Sequence, residues 1–328
     1  MNVPPTSPEL SVVVPLFNEE EGVLELLKEL KNACEALSLA YEIILVDDGS
    51  SDKTYVFALQ AAQHDHHIKV VKLSRNFGHQ AAFNAGIDFA SGQMIITMDG
   101  DLQHPPAMIP EFVKQARVGA DIVLGQRMVN RQNSSLRGFA GNLFYWFLRK
   151  ASSLDLAANV SDFTLYGRRV VDTLKRMPER DRFLRGLAQW VGFKKVYVPY
   201  TADVRKFGTP KYSFRKLATL GLSGITSFSA FPLRLAFWVG SVVFLASICF
   251  GGYVAWDHYV NPNPLIAGWA TVVILVLALG SIQLMVLGII GEYLYRMFNE
   301  LKGRPLYIVS ATHNIDAMHT PHTPYGIS

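Results

Sequence analysis

Between Leu10 and about Leu124 the hydrophobic positions change period repeatedly. Short β-branched runs, LSVVVP, YEIILVDD, IKVVKLS, QMIITMD and ADIVLG, alternate with stretches whose apolar residues fall at helical spacing. The segment EEGVLELLKELKNACEAL, between the first two runs, is one such stretch. Alternation of this kind predicts an α/β fold, a mainly parallel sheet with helices packed on its two faces. In HQAAFNAGIDFASG the small residues Ala82, Gly86 and Ala90 recur every four positions, which suits a helix lying close against its sheet.

From residue 125 to 228 the pattern is less regular and mixes arginines with aromatics. GNLFYWFLRKASSL, flanked by Arg137, Arg149 and Lys150, fits either a helix in a membrane interface or a plain core helix. Two long uncharged runs follow, Leu235 to Trp256 and Leu265 to Ile290, of roughly 22 and 26 residues, against about 20 needed to cross the hydrocarbon core. Both are expected to span. The connector DHYVNPNP has no Lys or Arg, whereas Arg215, Lys216 and Arg234 precede the first run and Arg296, Lys302 and Arg304 follow the second. Positive flanks stay inside, so the expected topology is a transmembrane hairpin with both chain ends in the cytoplasm. Trp238, Trp256 and Trp269 sit near the span ends, as an aromatic belt would place them. The expected organisation is a cytoplasmic domain over 1–228, a hairpin over 229–298 and a cytoplasmic tail over 299–328.

Composition agrees with a membrane part. Of 328 residues, 50% are hydrophobic and only 18% charged, too oily for an ordinary soluble enzyme of this length. The net charge of +4 is mild and its positive residues are not massed as on a nucleic-acid surface, so no nucleic-acid partner is expected. The two cysteines, Cys34 and Cys249, allow neither a disulfide framework nor a zinc site. The N-terminus MNVPPTSPEL lacks a basic region leading into an apolar one, so no cleavable signal peptide is expected.

The candidate chemistry lies where the apolar runs stop. ITMDGDLQHPP drives a buried strand into Asp99 and Asp101, then Gln103. Carboxylates two apart on extended backbone point the same way and can converge on one hard cation, Mg2+ or Mn2+. A lone D-x-D is common, but VVPLFNEEE and ILVDDGSSD are also strand ends rich in acids, Asn18 and Glu19 in one and Asp47 and Asp48 in the other. Ligands bind at such C-terminal strand ends in open α/β sheets. Helix capping is the plainer reading of the DGSSDKT acids, although Ser51 or Asp52 can cap without Asp47.

These segments, VVVPLFNEEE, ILVDDGSSD, LSRNFGHQAAFNAG, MDGDLQHPP and GQR, resemble the successive signatures of glycosyltransferase family 2, inverting enzymes of the nucleotide-sugar-binding GT-A fold. With a C-terminal hairpin the resemblance narrows to polyprenyl-phosphate glycosyltransferases, such as bactoprenol glucosyltransferases and dolichol-phosphate mannose synthases. It implies that Pro15, Phe17, Glu19, Asp47 and Asp48 hold the donor's base and ribose, and that Asp99, Asp101 and Gln103 bind the metal. Arg75 and His79 fall at donor-side positions. Arg127, Arg131, Arg205 and Lys211 are the anion-gathering candidates, Arg127 and Arg131 with Tyr212 toward the acceptor phosphate. VRKFGTPKYSFRKL resembles the family's phosphate-covering loop, with Pro210 where Ser is usual, and Arg205 and Lys211 there are assigned to the donor. Asp162, in SDFTLYGRR, is expected either to orient the acceptor or take a proton, or to form an ion pair with Arg168 or Arg169; Thr164 stands where the family more often has Arg. Asp101, Arg127 and Asp162 are the expected catalytic residues.

The implied reaction is transfer of one hexose, with inversion, from UDP-glucose to polyprenyl (undecaprenyl) phosphate at the cytoplasmic membrane face. A phosphate acceptor is largely dianionic at neutral pH and already nucleophilic, so alignment outweighs general-base help. The competing readings are a processive polysaccharide synthase, a transferase using another donor such as GDP-mannose, and a non-enzymatic carrier subunit that binds nucleotide sugars. Gly280 and Gly288 suit close helix contacts and hint at a homo-oligomer, and Gln283 is a polar residue within the second run.

Overall fold

The computed structural model describes residues 8–128, 160–177, 184–201, 231–260 and 269–315. The five expected strands form: β1 (Leu10–Leu16), β2 (Tyr41–Asp47), β3 (Ile68–Leu73), β4 (Met94–Thr97) and β5 (Ile122–Arg127). Between them run α1 (Val23–Glu35), α2 (Thr54–His64), α3 (His79–Phe89) and α4 (Ile109–Arg117). In α1 the residues Val23, Leu26, Leu27, Leu30, Ala33 and Cys34 are buried, the single apolar face that its three-four spacing predicts.

The stretch after residue 125 holds more regular structure than its sequence suggests. It contributes β6 (Val160–Gly167), α5 (Arg168–Arg176), α6 (Leu184–Trp190) and β7 (Lys195–Tyr200). Among the described residues, eight strands join in one sheet of order β7-β5-β6-β4-β1-β2-β3-β8, where β8 is Val309–His313. Four neighbouring pairs are parallel and three antiparallel. The sheet is therefore mixed: β6 inserts antiparallel between β5 and β4, and β8 lies antiparallel along β3. The segment read as a C-terminal tail thus supplies an edge strand.

Alternate strand residues feed two apolar layers. Leu10, Val12, Val14 and Leu16 pack toward α1, α2 and α4, and Val13, Ile44 and Val46 pack toward α3, α5 and α6. The small-residue stripe does what its spacing implies, since a Cβ at Gly86 would run into Val13 Cγ1. At the N-terminal strand edge, buried Glu42 accepts Ser11 Oγ (2.5 Å) and Ser91 N–H (2.7 Å) and pairs with Lys69 Nζ (2.5 Å), which pins the turn between α3 and β4. The opposite, C-terminal edge carries the acids.

The chain divides into two compact units, one holding β1 to β8 with α1 to α6, the other holding α7 (Phe231–Val260) and α8 (Trp269–Leu301). These helices have 30 and 33 residues, which at 1.5 Å per residue makes them about 45 and 50 Å long. Trp238 and Trp256 are exposed, as are Leu245, Ile248, Val276 and Leu284 between and beyond them. Among residues described with their side chains, neither helix presents an unbroken stretch long and apolar enough to cross a membrane. The expected spans therefore rest on the sequence. A Cβ at Gly280 or Gly288 would meet nothing within 4 Å, so neither glycine marks a close helix contact among the described residues. The GNLFYWFLRKASSL segment and the VRKFGTPKYSFRKL loop lie outside the described residues.

Candidate active site

Strands β4, β1 and β2 are adjacent and parallel, so the loops that leave their C-terminal ends emerge side by side. The loops after β1 and β2 are laced together. Asn18, at φ 53°, donates its N–H to Ser50 Oγ (3.1 Å) and accepts Ser51 N–H at Oδ1 (2.8 Å). Glu19 N–H reaches Thr54 Oγ1 (2.8 Å) and Glu20 N–H reaches Asp52 (3.2 Å). Asp52 also takes the Thr54 N–H at the start of α2 (3.0 Å), which leaves Asp47 unneeded there. Pro15 lies within β1, and Phe17 and Glu19 follow it half-buried.

Asp47 and Asp48 are buried but do different work. Asp47 Oδ1 accepts Ser50 N–H (3.2 Å), whereas Oδ2 has no hydrogen-bond partner among the described residues. Asp48 engages both oxygens, Oδ1 with Phe77 N–H (2.7 Å) and Oδ2 with Gly78 N–H (2.9 Å). It thereby anchors the loop between β3 and α3, where Gly78 adopts φ 101° immediately before His79. Burial pushes both carboxyls above their ordinary pKa. Arg75, in the same loop, is exposed and stacks its guanidinium over the Phe77 ring at 4.0 Å.

The end of β4 meets α3 and β6. His79 Nε2 lies 2.9 Å from Asp99 Oδ1 and 3.7 Å from Asp162 Oδ2. Thr97 Oγ1 donates to the Asp162 carbonyl (2.7 Å), which holds β6 in register against β4. Ring nitrogen and carboxylate oxygens of His79, Asp99 and Asp162 all lie within 4.8 Å of one another, close enough to hold one metal ion. Burial pushes the His79 imidazole down, but hydrogen bonding and negative charge from Asp162 and Asp99 outweigh it and raise its pKa to about 10. Against burial, His79 and His104 hold Asp99 below the usual carboxylate range. Asp101 stands outside this trio and accepts the Gln103 N–H at Oδ1 (3.1 Å). The structure therefore groups Asp99 with His79 and Asp162, where the sequence pattern groups it with Asp101 and Gln103.

Asp162, 6% exposed, does not take the expected ion pair: Arg168 lies 3.8 Å from Asp172 and Arg169 lies over the Phe193 ring. Arg168 turns instead to the carbonyls of Ala90 and Gly92. The partner is Arg185 of α6, whose Nε and Nη2 each donate to one carboxylate oxygen at 2.6 Å. Burial opposes ionisation, yet the Arg185 charge, with His79, holds Asp162 far below the usual range. Nothing local in DRFLRGLAQW announced Arg185; the pair exists because β6 is threaded between β4 and β5. His104, inside the acidic motif, has no role that the sequence pattern assigns. It is 4% exposed, accepts Asp99 N–H at Nδ1 (2.9 Å), and burial lowers its pKa. Arg127 ends β5 exposed, opposite Tyr200 of β7 in the strand register. Arg131, Arg205, Lys211 and Tyr212 lie outside the described residues.

The glycosyl transferase family 2 model matches residues 11–174, and the GtrB C-terminal hairpin model matches residues 231–297. An uncharacterized glycosyltransferase from Synechocystis is 39% identical over 302 residues, 92% of this chain and 95% of its own. The SfII prophage-derived bactoprenol glucosyl transferase of Shigella flexneri is 37% identical over 305 residues, 93% of this chain and 98% of its own. Among solved structures, a mannosyltransferase from Pyrobaculum calidifontis in complex with GDP-Man and Mn2+ is 18% identical, with a TM-score of 0.48 over 90% of each chain.

Proposed function

The chain is a member of glycosyltransferase family 2 with a GtrB C-terminal hairpin, and from that premise we propose that it moves a single hexose, glucose from UDP-glucose, onto a polyprenyl phosphate. Two observations support the acceptor: the likeness to bactoprenol glucosyl transferases over nearly the whole chain and the state of Asp162. The observation that carries the chemistry is the second. With both oxygens on Arg185 and its pKa far below neutrality, Asp162 is a poor proton acceptor at pH 7. An acceptor hydroxyl needs such a base; a phosphate dianion does not. Asp162 acts as a counter-ion that fixes His79 and Arg185, and one displacement at the anomeric carbon inverts it to a β-linked lipid-phosphate sugar.

On the donor side, Pro15, Phe17, Glu19 and Asp47 face the nucleoside. Asp47 Oδ2, buried and without a hydrogen-bond partner among the described residues, is the acceptor that an incoming N–H or O–H would satisfy. Asp48 acts behind them by holding the Phe77 to Gly78 loop. Arg75, Arg205 and Lys211 meet the diphosphate, and Arg127, Arg131 and Tyr212 meet the acceptor phosphate. Oxygen and imidazole donors of the kind gathered at Asp99 suit Mg2+ or Mn2+. Asp99 belongs to both candidate ligand sets, with Asp101 and Gln103 or with His79 and Asp162. A divalent cation bound by either set would supply charge stabilisation for the leaving diphosphate.

The helices α7 and α8 form the membrane hairpin, with the catalytic unit on the cytoplasmic side and its spans at about 235–256 and 265–290. Support comes from the positive flanks and from β8. Because β8 pairs with β3 in the catalytic sheet, whatever lies between β7 and β8 must cross a bilayer an even number of times. The test is incubation of the purified full chain with labelled UDP-glucose and undecaprenyl phosphate. A lipid carrying one sugar is expected; polymer would reassign the chain as a processive synthase, and turnover only with GDP-mannose would reassign the donor.

A further inference from the structure

His104 addresses one residue with both of its ring nitrogens. Nδ1 accepts the Asp99 N–H at 2.9 Å, so that nitrogen carries no proton and the ring N–H is on Nε2. Nε2 lies 3.5 Å from Asp99 Oδ2. The ring is held from behind by the core. It stacks on Phe163 at 5.2 Å and 14°, with Tyr200 edge-on at 5.8 Å, and Phe163 stacks in turn on Phe112 at 4.4 Å. Between the two residues the chain makes a tight turn in which Leu102 adopts φ 59° and is 2% exposed.

We infer that His104 is the positioning residue for Asp99, transmitting the rigidity of the Phe112 and Phe163 stack to the carboxylate that meets the cation. The inference rests on the cation reading of Asp99 given above. With Oδ2 facing His104 Nε2 at 3.5 Å and Oδ1 facing His79 at 2.9 Å, the carboxylate is met from both sides before any ligand arrives, which lessens the ordering left for metal binding. A role in packing alone would need only an aromatic ring, which phenylalanine supplies. Asparagine keeps an acceptor near the Nδ1 position but has nothing to offer Asp99 Oδ2. The two substitutions therefore separate packing from positioning.

The experiment uses the full chain in detergent, with free Mn2+ measured by electron paramagnetic resonance and turnover titrated against Mn2+. Partners of this kind change metal affinity by about 10- to 100-fold. His104→Phe is expected to melt within roughly ten degrees of wild type, the loss coming from the Asp99 N–H left without its acceptor, to weaken Mn2+ binding at least about tenfold, and to recover most of its kcat at saturating Mn2+. His104→Asn is expected to fall between the two. Wild-type Mn2+ affinity in His104→Phe, with Asp99→Asn abolishing binding, would overturn the His104 role and leave the cation reading intact. Absence of Mn2+ binding by wild type would overturn both. If His104→Phe does not fold, His104→Asn decides alone, and an unchanged affinity there overturns the inference.

Discussion

Removing Arg185 should destabilise the protein more than neutralising the acid it holds. Asp162 is 6% exposed and receives two 2.6 Å hydrogen bonds from a guanidinium that is itself 35% exposed. Stripping one partner from a buried pair costs about 3–5 kcal/mol, but water reaches the Arg185 side and His79 remains 3.7 Å from the carboxylate. The discounted cost for Arg185→Met is about 2–3 kcal/mol. At roughly 2–4 °C per kcal/mol for a domain of this size, its melting temperature should fall by about 4–12 °C. Asp162→Asn removes the buried charge itself, and the arginine can turn to water, so about 1 kcal/mol is expected. The double variant should resemble Asp162→Asn rather than the sum of the two. The sign with pH follows from the depressed carboxyl pKa. The pair contributes fully above the unfolded value near 4 and less as pH falls toward the lower folded value, so wild type and Arg185→Met should converge in acid. Thermal unfolding of the detergent-solubilised chain at pH 7 and stepwise from about pH 4 to about pH 2 reads all of this. Strictly additive losses, or Asp162→Asn melting below Arg185→Met, would refute the reasoning.

Two further outcomes follow from the same geometry. Asp101→Asn and chelation by EDTA should each abolish sugar transfer, by at least about 100-fold in kcat; full activity in EDTA would remove the cation from the reaction. Asp65, paired with Lys31 at 2.5 Å and 15% exposed, has its pKa lowered to about 2 by Lys31 and by the backbone and ring of His67, against the opposing effect of burial. Asp65→Asn should cost about 0.5–1 kcal/mol at pH 7. That difference should shrink between about pH 4 and pH 2, because a lowered folded pKa contributes only above the unfolded value; denaturant titration across that range checks it.

Much of the sheet was legible in advance, since all five β-branched runs became strands and the α1 face is the one its spacing predicts. The strands outside those runs depend on partners distant in the chain. In β6, Ser161, Asp162 and Thr164 break the apolar pattern, yet Asp162 and Thr164 are buried, because Arg185 of α6 takes the Asp162 carboxylate, Thr97 of β4 its carbonyl, and Thr164 donates to the Ser161 carbonyl. A polar residue paired across the fold looks, in one dimension, like loop. β8 is short, lies after α8, and is stable only against the edge of β3.

Local pattern alone determined where strands begin and end, and therefore that acids gather where β1, β2 and β4 stop, because alternation and helical spacing are properties of neighbouring residues. Strand order decided the rest. Placing β4 beside β1 and threading β6 against β4 brought Asp162 to His79 and Asp99 and supplied Arg185 as its counter-ion, while pairing β2 with β3 committed Asp48 to the loop before His79. Such partners lie 23 to 83 positions apart, and no short-range periodicity encodes a pairing that exists only once the sheet has closed around it.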